Sequence, residues 1–280
     1  MQKFLIFLFV LVSQVSLSQV RLGKGEIRAI YAVKVVADTL QPQNISIDTM
    51  FLEFSKSRSV FYNPARRIAD SVAYAQIQKS MKTGVNFNFG NVAGGMKKNS
   101  TVIVHQYPNN QKLTLYTQNL LGKNFMYEED YPLFQWQMTE ETQNIKGYLC
   151  KKAVTHFRGR TWEVWYTLDI PTPFGVWKFY GLPGLVVLAK DSKNHFTFEL
   201  IGLKRLPANY EMITHYEGEP IAFSKITHKK YMQELKKYLE DPIGYMSAAI
   251  MNSPVQVDVK DKQGRDKPKP KIIHNPIEYE

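Results

Sequence analysis

Residues 148–170 read YLCKKAVTHFRGRTWEVWYTLDI. Two runs rich in β-branched and aromatic residues, 148–157 and 161–170, flank Arg158-Gly159-Arg160. A short glycine-bearing break between two such runs is the pattern of a β-hairpin. In the second arm, alternation puts Trp162, Val164, Tyr166, Leu168 and Ile170 on one face. Thr161, Glu163, Trp165, Thr167 and Asp169 share the other. One face is apolar and the other mixed, as in an antiparallel sheet that packs one side against a core.

The same reading extends outward. Residues 27–36, 45–54 and 59–62 read as strands, and 101–107 with 112–118 form a second hairpin around Pro108-Asn109-Asn110-Gln111. Residues 134–138 read as a short aromatic strand, and 185–189 and 195–203 as two more. Asn63-Pro64 is a helix start, and Ile68, Val72 and Ala75 recur at helical spacing, so a helix is expected to about Met81. A second helix is expected from Thr227 to Glu240, with Tyr231, Leu235 and Leu239 on one face and Pro242 ending it. Residues 84–95 read as a loop. Strands joined by short turns argue for an α+β, β-rich fold. Its antiparallel, strongly curved, half-barrel-like sheet would carry a few helices on one face or end.

Residues 1–18 read as an export signal: Lys3, an unbroken apolar run over 4–12, then Ser16-Leu17-Ser18 before the expected cleavage. That run is too short to span a bilayer, and no later stretch reaches the required length. The expected location is periplasmic or extracellular, with at most peripheral membrane contact. Residues 19–256 form one expected β-rich domain, and 257–280 a charged, disordered tail. The 44% hydrophobic and 13% aromatic content is enough for an ordinary core, which is needed because lone Cys150 excludes an internal disulfide. The formal charge of +11 attracts anionic surfaces in general. An exported protein meets little nucleic acid, so no nucleic-acid partner is expected.

Gly181, Leu182, Pro183, Gly184 and Leu185 form a sharp corner. Proline sets its own φ for the second position of a β-turn, and Gly184 is expected to take positive φ next. Several segments lead into this corner in order: Gly147 to Ala153, Phe157 to Arg160, Trp165-Tyr166-Thr167, Asp169-Ile170-Pro171 and Trp177-Lys178-Phe179. The series, with Asn275-Pro276-Ile277-Glu278 near the end, resembles the GLPGLI family of exported Bacteroidetes proteins. Val186 departs from the isoleucine of that pattern and Val176 from a proline, and residues 66–100 match nothing in it. The resemblance implies export and no established activity.

Chemistry is sparse in the pattern. Cys150 reads as a small buried hydrophobe. The histidines at 105, 156, 195, 215, 228 and 274 show no ligand spacing, so neither a metal nor a cofactor is expected. No nucleophile elbow or phosphate-binding glycine loop is present. Trp162, Trp165, Trp177, Phe179 and Tyr180 are the concentrated resource, as core or as a ligand or partner surface. The first functional reading is an exported non-catalytic protein that binds an apolar or extended ligand or an outer-membrane partner. The second is an envelope hydrolase whose site is assembled from scattered His, Asp and Glu, including Asp169, Asp191, Glu163 and Glu199. Its signature would be such side chains converging in one pocket.

Overall fold

The computed structural model describes residues 21–83, 101–106, 111–120, 123–214, 223–240 and 275–278. The expected export signal, the loop at 84–95 and residues 257–274 of the expected tail lie outside them. The strands are β1 (Arg21–Lys24), β2 (Ile27–Val36), β3 (Ile45–Phe54), β4 (Arg58–Tyr62), β5 (Thr101–Gln106), β6 (Lys112–Leu120) and β7 (Lys123–Asp130). They continue as β8 (Gln137–Ile145), β9 (Tyr148–Phe157), β10 (Arg160–Thr167), β11 (Leu185–Asp191), β12 (Phe196–Arg205), β13 (Glu211–Ile213) and β14 (Ser224–Lys225). Among the described residues the helices are α1 (Pro64–Thr83) and α2 (His228–Glu240).

Twelve strands form one sheet in the order β14-β7-β6-β5-β4-β3-β2-β12-β11-β10-β9-β8, and β1 pairs with β13 in a separate ribbon. Every pairing in the large sheet is antiparallel except β14 with β7. The sheet curls into a half-barrel, the fold class expected from the hairpin pattern. In the hairpin at 148–167, Arg158 (φ 43°) and Gly159 (φ 78°) both lie in the left-handed region. Arg160 then pairs with Phe157. Positive φ at both central residues matches the right-handed twist of the flanking strands.

Three local readings change. Residues 132–136 join no ladder, and the strand begins at Gln137. Phe134 instead packs its ring against Phe157 and Phe179, and Trp136 donates from Nε1 to the Tyr180 carbonyl at 2.8 Å. In α1, Asn63 caps as expected, its Oδ1 accepting from Arg66 N at 3.1 Å. The stripe of Ile68, Val72 and Ala75 faces outward, however, and among the helix side chains described Arg66, Arg67 and Ala69 are the buried positions. At the corner, the left-handed glycine is Gly181 (φ 94°), not Gly184. Gly184 is required for a different reason: a Cβ there would sit 2.0 Å from the Thr167 carbonyl oxygen.

The connection from β10 to β11, residues 168–184, folds into the concave side. Phe174, Val176, Trp177, Lys178, Phe179 and Leu182 are all buried there, around fully buried Trp162. Removing a large apolar side chain from water contributes about 1.5–3 kcal/mol, so this plug is a major part of the core. Gly181 to Leu185 forms its exit: Gly181 N donates to the Pro173 carbonyl at 2.9 Å, and Leu185 N to Ile170 at 3.0 Å.

Candidate functional site

Of the aromatic residues expected to form a surface, Trp162, Trp165, Trp177 and Phe179 are buried and Tyr180 is half-buried. Trp162 and Phe179 belong to the plugged core, their rings edge-on at 5.1 Å. Trp165 points to the other side, as alternation requires. It is covered there by Lys152, whose Nζ lies 5.7 Å from the ring, while its Nε1 donates to Glu163 at 3.0 Å. Trp177 alone of the five lines the cleft described next.

Beside the plug, a cleft of about 260 Å³ remains open. The inner face of β2, β3 and β6 forms one wall through Val33, Met50 and Leu115. Tyr231, Met232 and Leu235 of α2 form another, and residues 275–278 a third. The α2 residues named from periodicity, Tyr231 and Leu235, do face inward. Thr227 starts this helix, its hydroxyl accepting from Lys230 N at 3.2 Å. Residues 275–278 were expected within a loosely attached tail. Instead Asn275 and Glu278 are buried.

Glu278 is the one acidic residue lining the cleft, and a charged cluster adjoins it. Glu129 of β7 and Glu278 face each other across Lys178 and Arg158. Lys178 Nζ lies 2.5 Å from Glu129 Oε2 and 2.5 Å from Glu278 Oε1. Arg158 donates through Nη2 to Glu129 and through Nη1 to Glu278. Two carboxylates and two cations thus alternate in a closed ring. His228 adjoins it, with Nε2 3.1 Å from Glu278 Oε2 and 3.0 Å from Arg158 Nη1. Unprotonated, Nε2 accepts from Arg158; protonated, it donates to Glu278. Burial alone would raise the Glu278 pKa, but Lys178, His228 and Arg158 together lower it to about 2. That carboxylate is therefore ionised at neutral pH.

Glu129, His228 and Glu278 each place a ligand-type atom within 4.8 Å of the others. Oxygen and imidazole donors can hold a divalent ion, but the Lys178 ammonium occupies the position between the two carboxylates. The donor set thus fits an ion-pair ring better than a metal centre.

The pattern reading did not single out this centre. His228 was one of six unpaired histidines, Arg158 a turn residue, and Lys178 and Glu278 parts of a resemblance. Glu129 lies in β7, outside the strands read from the sequence. A signal existed there: Phe125, Tyr127 and Glu129 alternate in phase and are all buried, which places an acid among inward-facing aromatics. The acids named as candidates lie elsewhere. Glu163 and Glu199 take surface ion pairs with Lys190 and Lys146. Asp191 is buried against Arg160 at 2.7 Å, and Asp169 is exposed. Cys150 is buried, and burial pushes its thiol up to about 11.

Residues 85–176 match the family model described as N-glycanase peptide, N-terminal domain. Among solved structures the chain is similar to PNGF-II in space group P21. The identity is 16% and the TM-score 0.50, over 76% of this chain and 34% of that one. The C2 form of PNGF-II gives 16% and 0.49 over 76% and 33%. The chain thus spans about a third of the length of PNGF-II, and at that identity the similarity concerns the fold. No curated protein matches. These findings overturn the resemblance to the GLPGLI family and its implication of no known activity. The matched region includes residues 85–100, which fitted nothing in the GLPGLI pattern. The non-catalytic reading falls with it, and the hydrolase reading gains the support.

Proposed function

We propose that this chain is an N-glycanase-related protein that works on N-glycosylated polypeptides, with the Glu278–His228 pair as its reactive centre. The match of residues 85–176 to the N-glycanase N-terminal domain carries the reading. The convergence of His228 with two carboxylates, one of which (Glu278) lines the cleft, supports it as chemistry. Hydrolysis requires a group that takes a proton from water and returns one to the leaving group. Glu278 and Arg158 engage Nε2 of His228, and Nδ1 has no hydrogen-bond partner among the described residues. The imidazole side chain is 21% exposed, so solvent reaches it. Ionised Glu278 then orients the ring, Nδ1 exchanges the proton, and Arg158 and Lys178 hold Glu278 in its charged form.

The test incubates the full chain with a denatured N-glycosylated protein and follows glycan release by mass. Release is expected, with His228→Gln reducing the rate by about 100-fold or more at unchanged thermal stability. A chain that neither releases the glycan nor binds the glycoprotein would remove the proposal.

A further inference from the structure

Residues 275–278 are held by residues distant in sequence, as a peptide ligand is held. Asn275 N donates to the Ala37 carbonyl at 3.1 Å, and Asn275 Nδ2 donates to Val36 O at 2.7 Å. Arg160 Nη2 donates to Asn275 Oδ1 at 2.5 Å, and Arg160 Nε to the Pro276 carbonyl at 3.1 Å. Ile277 packs against the apolar core and lines the cleft. Glu278 takes Lys178, Arg158 and His228. These partners come from the end of β2, the β9–β10 turn, the start of β10, the plug and the start of α2. The nearest in sequence is fifty residues from Glu278.

Arg160, Lys178 and Arg158 each also have a partner outside the strap. Asp191 fixes Arg160 at 2.7 Å, and the guanidinium also lies 4.6 Å from the centre of the Phe196 ring. Glu129 fixes both Lys178 and Arg158. Asparagine is read at both ends of its amide, proline supplies a carbonyl and needs no donor site, an apolar side chain fills the cleft wall, and a carboxylate meets two cations. Each position has its own chemical reader, as in recognition of an extended peptide.

We propose that the half-barrel carries a peptide-binding groove for an Asn-Pro-apolar-acid segment, occupied in cis by this chain's own residues 275–278, whose release opens the cleft. Attachment through residues 241–274 gives the segment a high effective concentration at the groove, so the cis form excludes a free peptide. Docking completes both the third wall of the cleft and the Glu278–His228 contact. Binding is measured without any substrate, so the groove stands or falls separately from the glycanase reading.

The experiment places a specific protease site within residues 260–268 of the full chain and cuts it after folding. Exchange is then followed with a fluorescent synthetic peptide of residues 274–280, HNPIEYE. The nicked protein is expected to keep its circular dichroism, release its own segment on dilution and take up the peptide, while the uncut protein takes up none. Peptides carrying Asn275→Ala or Glu278→Gln are expected to bind at least about tenfold more weakly, since each leaves a buried partner unsatisfied. An apolar fluorophore is expected to bind the emptied protein and to be displaced by HNPIEYE. Unfolding on dilution of the nicked protein would show that the segment is an inseparable part of the core and would overturn the proposal. A folded, emptied protein that ignores the peptide, or binds all three peptides equally, would overturn it too.

Discussion

Two buried carboxylate clusters sit on opposite faces of the sheet, and they solve the same problem differently. On the outer face, under the β1–β13 ribbon, Glu53 is fully buried. Its Oε1 accepts from Arg28 Nε at 2.8 Å, Tyr62 at 2.7 Å and Tyr210 at 2.8 Å, while Oε2 has no partner among the described residues. Burial raises the Tyr62 and Tyr210 pKa values, keeping both hydroxyls protonated as donors. On the inner face, every oxygen of Glu129 and Glu278 meets a cation, and the ring is electrically balanced. The outer cluster staples three neighbouring strands, β2, β3 and β4, to a local ribbon. The inner ring joins β7, near one edge of the sheet, to the β9–β10 hairpin near the other, and so closes the half-barrel. Balance makes the inner ring more dependent on each member, because a desolvated charge that loses its partner cannot recover hydration.

The comparison breaks most sharply at Lys178, which is fully buried. Lys178→Met leaves two carboxylates with Arg158 as their one shared cation and is expected to cost about 3–5 kcal/mol in urea unfolding. Adding Glu129→Leu to that variant restores charge balance and should recover part of the loss, a coupling readable in a double-mutant cycle. In the outer cluster, Glu53→Gln keeps an acceptor for the tyrosines but weakens the Arg28 pair. It is expected to cost less, about 1–3 kcal/mol.

Acid probes the inner ring directly. The folded pKa of Glu278 lies near 2, below its ordinary 4.5, so its stabilisation is present above 4.5 and is lost as pH falls toward 2. Glu278→Gln should flatten the stability profile across that window; an unchanged slope would show that the ring does not hold the carboxylate ionised. The smallest effect concerns Cys150. Its buried thiol, raised to about 11, should resist alkylation at pH 8 in the folded protein and react fully in urea.

Much of the architecture was legible in local pattern. The bounds 27–36, 45–54 and 148–157 coincide with β2, β3 and β9, because alternation over half-buried strands is a short-range signal. Helix α1 was legible through its Asn63-Pro64 start, yet its buried face was not, since Ile68 and Val72 point outward and Arg66 and Arg67 inward. The need for glycine at 184 was visible, but its cause was not. Close approach to Thr167 is a tertiary fact, whereas the positive φ belongs to Gly181.

Leu168, read on the face of Trp162, is exposed past the end of β10. The amino-acid sequence by itself nonetheless determined the curved antiparallel sheet, its hairpins and the inward residues Trp162 and Val164 of β10 and Tyr231 and Leu235 of α2. Those depend on side-chain periods of 2 and 3.6 residues within one segment. Only the tertiary structure decided that the tryptophan-rich stretch is a plug, that residues 275–278 return to wall the cleft, and that Glu129, Arg158, Lys178, His228 and Glu278 meet. No local period links positions 129 and 278. They are brought together because folding buries their charges at one place, where only mutual pairing offsets the loss of water.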